Sequence, residues 1–83
     1  MEHTEGMLHF TSNFYLAAAF IASGLSLSSV DDADKKHIRF GVTAKTQDHI
    51  DEIQREWDNK LLQVNAREYA DAIRELKMRI HQS

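Results

Sequence analysis

The sequence predicts a small α+β domain, and three stretches of the chain support this prediction. Residues 14–22 are an uninterrupted apolar run that suits a buried helix. Residues 37–43 alternate apolar and polar side chains with the two-residue period of a strand. From residue 46 onward the apolar side chains are spaced by three or four, as in amphipathic helices. A chain of 83 residues, 42% hydrophobic and 28% charged, is typical of one soluble domain.

The predicted first helix covers the nine apolar residues 14–22, and local signals set its limits. Thr11 or Ser12 can accept a hydrogen bond from the first free backbone amides. Gly24 can adopt the left-handed conformation that ends a helix. Because a helix that is apolar nearly all round cannot lie on a surface, we expect the other elements to cover it.

Two predicted strands, residues 25–30 and 37–43, form a central antiparallel hairpin. In the second strand Ile38, Phe40 and Val42 share one face, and polar side chains share the other. Leucine and serine alternate in the first strand, and the polar sequence DDADKK connects the two strands. One face of the hairpin is therefore expected to lie on the core.

Two further short runs, residues 7–10 and 61–64, leave two arrangements open. If both are strands, the element order matches the split β-α-β, or ferredoxin-like, pattern with an added C-terminal helix. If neither is a strand, three helices pack on one face of the hairpin. In the run at 7–10, Leu8 and Phe10 would share one face.

Two amphipathic helices are predicted after the hairpin. Ile50, Ile53 and Trp57 form the apolar stripe of the first, which Thr46 or Asp48 can cap. The second begins with the capping-box pattern of an asparagine followed three residues later by a glutamate. The expected core stripe of this last helix consists of Tyr69, Ile73, Leu76 and Ile80.

Three stretches of the chain resemble a known family. The sequences TSNFYLAAAFIASGL, HIRFGV and VNAREYADAIRELK are similar to a family of small bacterial, archaeal and phage proteins that share a domain of unknown function. The resemblance covers residues 10–80, and its most specific parts are the T-S-x-x-Y/L-A-A opening and the N-A-R-E-Y-A-x-A-I-R-x-L-K close. It implies the α+β domain and is compatible with a phage or mobile-element origin. It implies no activity, cofactor or catalytic residue.

Composition argues against several classes of protein. The absence of cysteine excludes disulfides, thiolate catalysis and the commonest zinc sites. A net charge of -3 argues against strong non-specific binding to phosphate backbones. The apolar run is shorter than the roughly 20 residues of a membrane span, and residues 1–12 lack the Lys or Arg of a secretory signal. We expect a cytoplasmic protein with a flexible tail at residues 1–6 and one domain at residues 7–83.

No motif for catalysis, metal, cofactor or small-molecule ligand is predicted. His3 and His9 match no metal-binding spacing, and the acidic residues 31–34 lack the glycine and glutamate of a calcium loop. No base is placed to activate one of the hydroxyl groups. The leading hypothesis is therefore a non-enzymatic interaction module that associates with itself, because so short a chain covers its apolar helix sparingly.

The polar face of the predicted hairpin is the main candidate surface for a partner. It carries His37, Arg39 and Thr43, and it is expected to lack the aromatic side chains that stack on nucleobases. Three basic residues of the last helix extend the candidate set: Arg74, Lys77 and Arg79. With Arg39 they support the alternative hypothesis of an accessory nucleic-acid-binding protein, although acidic residues lie between them.

Overall fold

Three strands and three helices make up the part of the chain that the computed structural model describes, residues 6–34 and 36–81. The α+β fold class and the central antiparallel hairpin are confirmed. Most of the predicted tail, residues 1–5, lies outside the described residues. In chain order the elements are β1 (Met7–Thr11), α1 (Phe14–Ala22), β2 (Ser26–Asp31), β3 (Arg39–Ala44), α2 (Gln47–Asp58) and α3 (Ala66–His81).

The sheet has the strand order β1-β3-β2, and β3 is antiparallel to both of its neighbours. β1 and β2 are therefore parallel to each other and joined by α1, with β3 inserted between them. This is the split β-α-β arrangement. The predicted short strand at residues 7–10 is present as β1, whereas residues 61–64 form no strand. The fold thus has the first five elements of the ferredoxin-like pattern, β-α-β-β-α, followed by a helix where that pattern has its fourth strand.

The end of α2 explains why residues 61–64 form no strand. Lys60 has a φ of 63°, and the Leu61 amide donates to the Glu56 carbonyl at 2.8 Å, which closes the helix. The Leu62 amide donates to the same carbonyl at 3.2 Å. α3 begins a few residues later. Its N-cap is Asn65, as predicted, because the Asn65 Oδ1 accepts a hydrogen bond from the Glu68 amide. Too few residues remain between the two helix ends for a strand.

α1 has the predicted limits and lies at the centre of the core. All residues from 16 to 20 are buried. The N-cap is Asn13 and not the predicted Thr11 or Ser12; its Oδ1 accepts two first-turn amides at 3.0 and 3.1 Å. Gly24 ends the helix with a φ of 105°, as predicted.

The strands of the hairpin begin later than predicted, at residues 26 and 39 and not at 25 and 37. Leu25 is excluded from β2 because its amide donates to the Phe20 carbonyl at 3.1 Å, as part of the end of α1. His37 is excluded from β3 because its amide donates to the Asp34 carbonyl at 2.9 Å within the connecting turn. The hydrogen bonds at the end of α1 and in the connecting turn therefore determine where β2 and β3 begin.

All three helices lie on one face of the sheet. α2 packs Ile53 into a cluster with Phe20, and α3 packs Leu76 into a cluster with Phe40. The His9 ring of β1 meets the Phe20 ring edge-on at a centroid distance of 5.5 Å, so this side of β1 also faces the core. The predicted stripes of α2 and α3 are confirmed, and Thr46 caps α2. None of the helices in the described ranges combines the length and apolar character that crossing a bilayer requires.

Candidate interaction surface on the sheet

The second face of the sheet is formed by alternate residues of its strands. Strand pairing sets Leu8 opposite Thr43 and Phe10 opposite Gly41. Because the intervening His9 faces the core, Leu8 and Phe10 point away from it, and they are 53% and 42% exposed. We call this surface the outer face; its principal residues are Leu8, Phe10, Ser29, Arg39, Gly41 and Thr43.

Gly41 allows the Phe10 side chain to lie across the centre strand. A Cβ atom at this position would lie 2.6 Å from the Ser29 Oγ and 2.9 Å from the nearest Phe10 ring atom. Contacts this short require the neighbours to move, so a residue without a side chain is needed beneath the ring. The prediction that the outer face lacks aromatic side chains is therefore wrong, because β1 supplies Phe10.

Arg39 links the two edge strands through side-chain contacts. Its guanidinium carbon lies 5.2 Å from the centroid of the Phe10 ring, and its Nη2 donates to the Asp31 Oδ2 at 2.9 Å. The hydrogen bond from Arg39, with a second one from the Ala33 amide, holds the pKa of Asp31 below its ordinary value. The cation is thus oriented on both sides by groups of its own chain.

Thr43 and Ser28 share a hydroxyl–hydroxyl hydrogen bond across β3 and β2. Near this bond the pairing of β2 shifts register between Leu27 and Ser29, as in a β-bulge. Leu27 lies opposite Val42 before the shift and Val30 lies opposite Phe40 after it, so core packing is retained on both sides of the shift. The Ser28 and Thr43 hydroxyls are therefore occupied with each other, and the β2 edge is irregular.

The structure separates the residues that the sequence proposed for partner binding. Arg39 and Thr43 lie on the outer face, whereas exposed His37 lies in the turn before β3. The basic residues of α3 belong to the helical side, since α3 packs mainly on α1. These residues are Arg74, Lys77 and Arg79. The four cations of the nucleic-acid hypothesis therefore do not form one continuous surface.

The exposed side of α3 has mixed charge. The Arg74 Nη1 donates to the Asp71 Oδ1 at 2.9 Å, in an exposed pair one helical turn apart. On its other side α3 is fixed to α1, because the Tyr69 hydroxyl donates to the Tyr15 carbonyl at 3.2 Å. Partial burial raises the pKa of Tyr69, so this hydroxyl keeps its proton at neutral pH. The ion pair of Arg74 with Asp71 and the hydrogen bond of Tyr69 with Tyr15 are therefore both explained as contacts within the folded chain.

One cleft on the surface of the domain has a volume of about 790 Å³. It lies where β3 continues into α2, and Thr43, Lys45 and His49 are among its lining residues. Within residues 6–34 and 36–81, no group of three or more His, Asp or Glu side chains is arranged to hold a metal ion. The cleft therefore offers isolated polar groups and no assembled set of ligands.

Comparisons of this chain with protein-family models, with curated proteins and with solved structures find no match. The family resemblance seen in three stretches of the sequence therefore stays a prediction. Three large apolar side chains that are exposed, Met7, Leu8 and Phe10, lie on the single edge strand β1.

Proposed function

We propose that this chain is a small non-enzymatic interaction module whose contact surface is centred on β1. The observation that supports the proposal is the exposure of Met7, Leu8 and Phe10 on a strand at the edge of the sheet. Exposed apolar groups that lie together mark sites of protein contact. A free strand edge adds a row of backbone donors and acceptors that a second strand can satisfy.

The polar groups of the outer face favour binding over catalysis. The Thr43 and Ser28 hydroxyls are hydrogen-bonded to each other, and Arg39 is engaged by Asp31. A nucleophile needs an adjacent base and a third group that orients it. The contacts on the outer face hold its polar groups in place but do not combine a nucleophile with a base and an orienting group. A fixed surface of this kind suits docking of a partner. We also propose a cytoplasmic location, which the cysteine-free composition supports.

Molecular mass in solution tests the self-association that the proposal includes. Light scattering from low micromolar to millimolar protein should show the mass rising from the 9.6 kDa of one chain toward twice that value. The variant Leu61→Lys is a matched control, because Leu61 is 68% exposed but lies in the segment after α2, outside β1. It should associate like the parent. A constant monomer mass at millimolar concentration would contradict self-association.

A second candidate function is binding of single-stranded nucleic acid on the outer face. The exposed ring of Phe10 beside the Arg39 guanidinium favours it, because bases stack on aromatic rings and on guanidinium planes. The net charge of -3 and the bond between Arg39 and Asp31 both weaken the attraction for phosphate.

A mobility-shift experiment at low salt with a mixed nucleic-acid pool tests this second function. Binding on the outer face should weaken in Phe10→Ala and in Arg39→Ala. A triple alanine variant of the α3 cations should bind like the parent, since they lie on the helical side. The residues changed in that variant are Arg74, Lys77 and Arg79. The absence of any shift at low salt would remove nucleic acid as the partner.

A further inference from the structure

We infer that β1 is a dimerisation strand, which pairs antiparallel with β1 of a second copy about a two-fold axis beside His9. The inference rests on the proposed function and names the partner of the same surface. In this dimer the two sheets join edge to edge into one continuous sheet, and the helices of both copies lie on the same side of it. The outer faces then form one surface.

The edge presented by β1 lacks the features that block pairing with another strand. Charged residues, proline and bulges are features by which proteins protect free edges. The sequence of β1, MLHFT, has no Lys, Arg, Asp, Glu or Pro, and it pairs with β3 at five consecutive positions without a register shift. The opposite edge, β2, contains a register shift and ends in the charged Asp31. β1 is therefore the edge that can accept a strand.

A second copy fits β1 because the strand is complementary to itself. With His9 opposite His9 of the second copy, Leu8 of each chain lies opposite Phe10 of the other. An aliphatic residue is then the direct cross-strand neighbour of an aromatic one at two symmetric positions, which is a favourable pair. Both residues lie on the outer face and are exposed in the single chain, so pairing removes apolar surface from water.

Among registers that keep the two outer faces on one side, this one gives the longest overlap. Centring on Leu8 would leave Phe10 opposite Gly6, and centring on Phe10 would leave Leu8 opposite Ser12. Both alternatives move a large apolar side chain beyond the facing strand. Only the register centred on His9 gives every residue of Met7–Thr11 a partner within the other β1.

The dimer should be weak, because each copy contributes a strand of five residues. Interfaces that bury less than about 1,200 Å² in total are typical of transient complexes. We therefore expect a dissociation constant in the high micromolar range. For a dimer this weak, a covalent cross-link at one position reports the strand register better than the solution mass does.

Cysteine cross-linking tests the register directly, because the chain has no cysteine of its own. In His9→Cys the two introduced residues face each other with Cα atoms about 4.5–5.5 Å apart, which a disulfide can span. In the control Thr11→Cys the introduced residue faces Met7, and the two thiols lie far apart. Under a mild oxidant His9→Cys should form a covalent dimer at least tenfold faster than Thr11→Cys.

A charge at the edge gives an independent test that leaves the core untouched. Leu8→Lys should abolish the concentration-dependent rise in mass and retain the parent's thermal melt, since Leu8 is exposed. A dimer by mass that cross-links equally at both cysteine positions, or that survives Leu8→Lys, would overturn the β1 register but leave self-association standing. A strict monomer would overturn both.

Discussion

Arg39 lies against the ring of Phe10, with its guanidinium carbon 5.2 Å from the ring centroid, and so joins two strands that are distant in sequence. The same guanidinium donates to Asp31 at the end of β2. One side chain on the centre strand thus contacts both edges of the sheet. The outer face behaves as one surface because this contact and the ring over Gly41 hold it together.

The contact between Phe10 and Arg39 should be measurable as an energetic coupling. In a double-mutant cycle with Phe10→Ala and Arg39→Ala, we expect a coupling of about 0.5–1 kcal/mol in the free energy of unfolding, as for exposed cation–π pairs. Urea unfolding of the four proteins provides the measurement. A parallel cycle of Phe10→Ala with Arg74→Ala serves as control, and it should give no coupling because Arg74 lies on α3. Equal values in the two cycles would contradict the contact.

The ion pair of Asp31 predicts how its contribution depends on pH. Arg39 lowers the pKa of Asp31 in the folded chain below the ordinary value of 3.8. The pair therefore stabilises the fold above pH 3.8, and this contribution is lost as the pH falls through the lowered pKa. Asp31→Asn should be less stable than the parent at neutral pH, and the difference should shrink in acid well below pH 3.8.

Urea midpoints of parent and Asp31→Asn at the two pH values provide this measurement. In an Arg39→Ala background the effect of Asp31→Asn should be much smaller, because Arg39 is the largest cause of the shift. An effect of equal size in acid and at neutral pH would show that the carboxylate charge is not responsible.

Gly41→Ala should destabilise the domain by about 1–3 kcal/mol, the usual cost of overpacking. The added methyl group would collide with the Ser29 hydroxyl and the Phe10 ring. Thermal unfolding measures the loss. The variant Ser29→Ala, combined with Gly41→Ala, should recover part of it because the closest contact is with the Ser29 Oγ. A melt of Gly41→Ala identical to the parent's would show that the ring does not lie over this position.

Phe20→Asp should prevent folding, because Phe20 is completely buried in the central helix. An unpaired carboxylate at this site would cost several kcal/mol, about half or more of the stability of a typical small domain. Far-UV circular dichroism should show loss of cooperative melting. Tyr15→Asp on the same helix is the control: Tyr15 is 59% exposed, so this variant should still melt cooperatively. A cooperative melt of Phe20→Asp near the parent's temperature would contradict the position of the core.

Local sequence signals predicted most of the secondary structure. The apolar run at residues 14–22 gave α1 with its actual limits, because a continuous run of this length and its glycine stop are both local features. The prediction of the hairpin is correct, but β2 begins one residue later and β3 two residues later than side-chain periodicity predicts. Hydrogen bonds of Leu25 to the end of α1 and of His37 to Asp34 decide those starts, and side-chain periodicity does not reveal them.

The candidate surface could be predicted from the sequence only in part, because it includes a contact between parts of the chain that are distant in sequence. Arg39 and Thr43 could be assigned to the face opposite the core from alternation alone. Phe10 could not be assigned to that face, since its position follows from the pairing of β1 with β3, in which Phe10 lies opposite Gly41, 31 positions later in the sequence (41 − 10). The only local hint was Gly41, a residue without a side chain within an otherwise regular strand.

The register shift in β2 also limits how far an assembly of this chain can grow. A sheet that is open at both edges can add copies indefinitely and build fibrils. In this chain the shift between Leu27 and Ser29 interrupts one edge, so the proposed pairing through β1 would use the only regular edge among the described strands. Association should therefore stop at a closed pair, and concentrated solutions should stay clear and free of filaments.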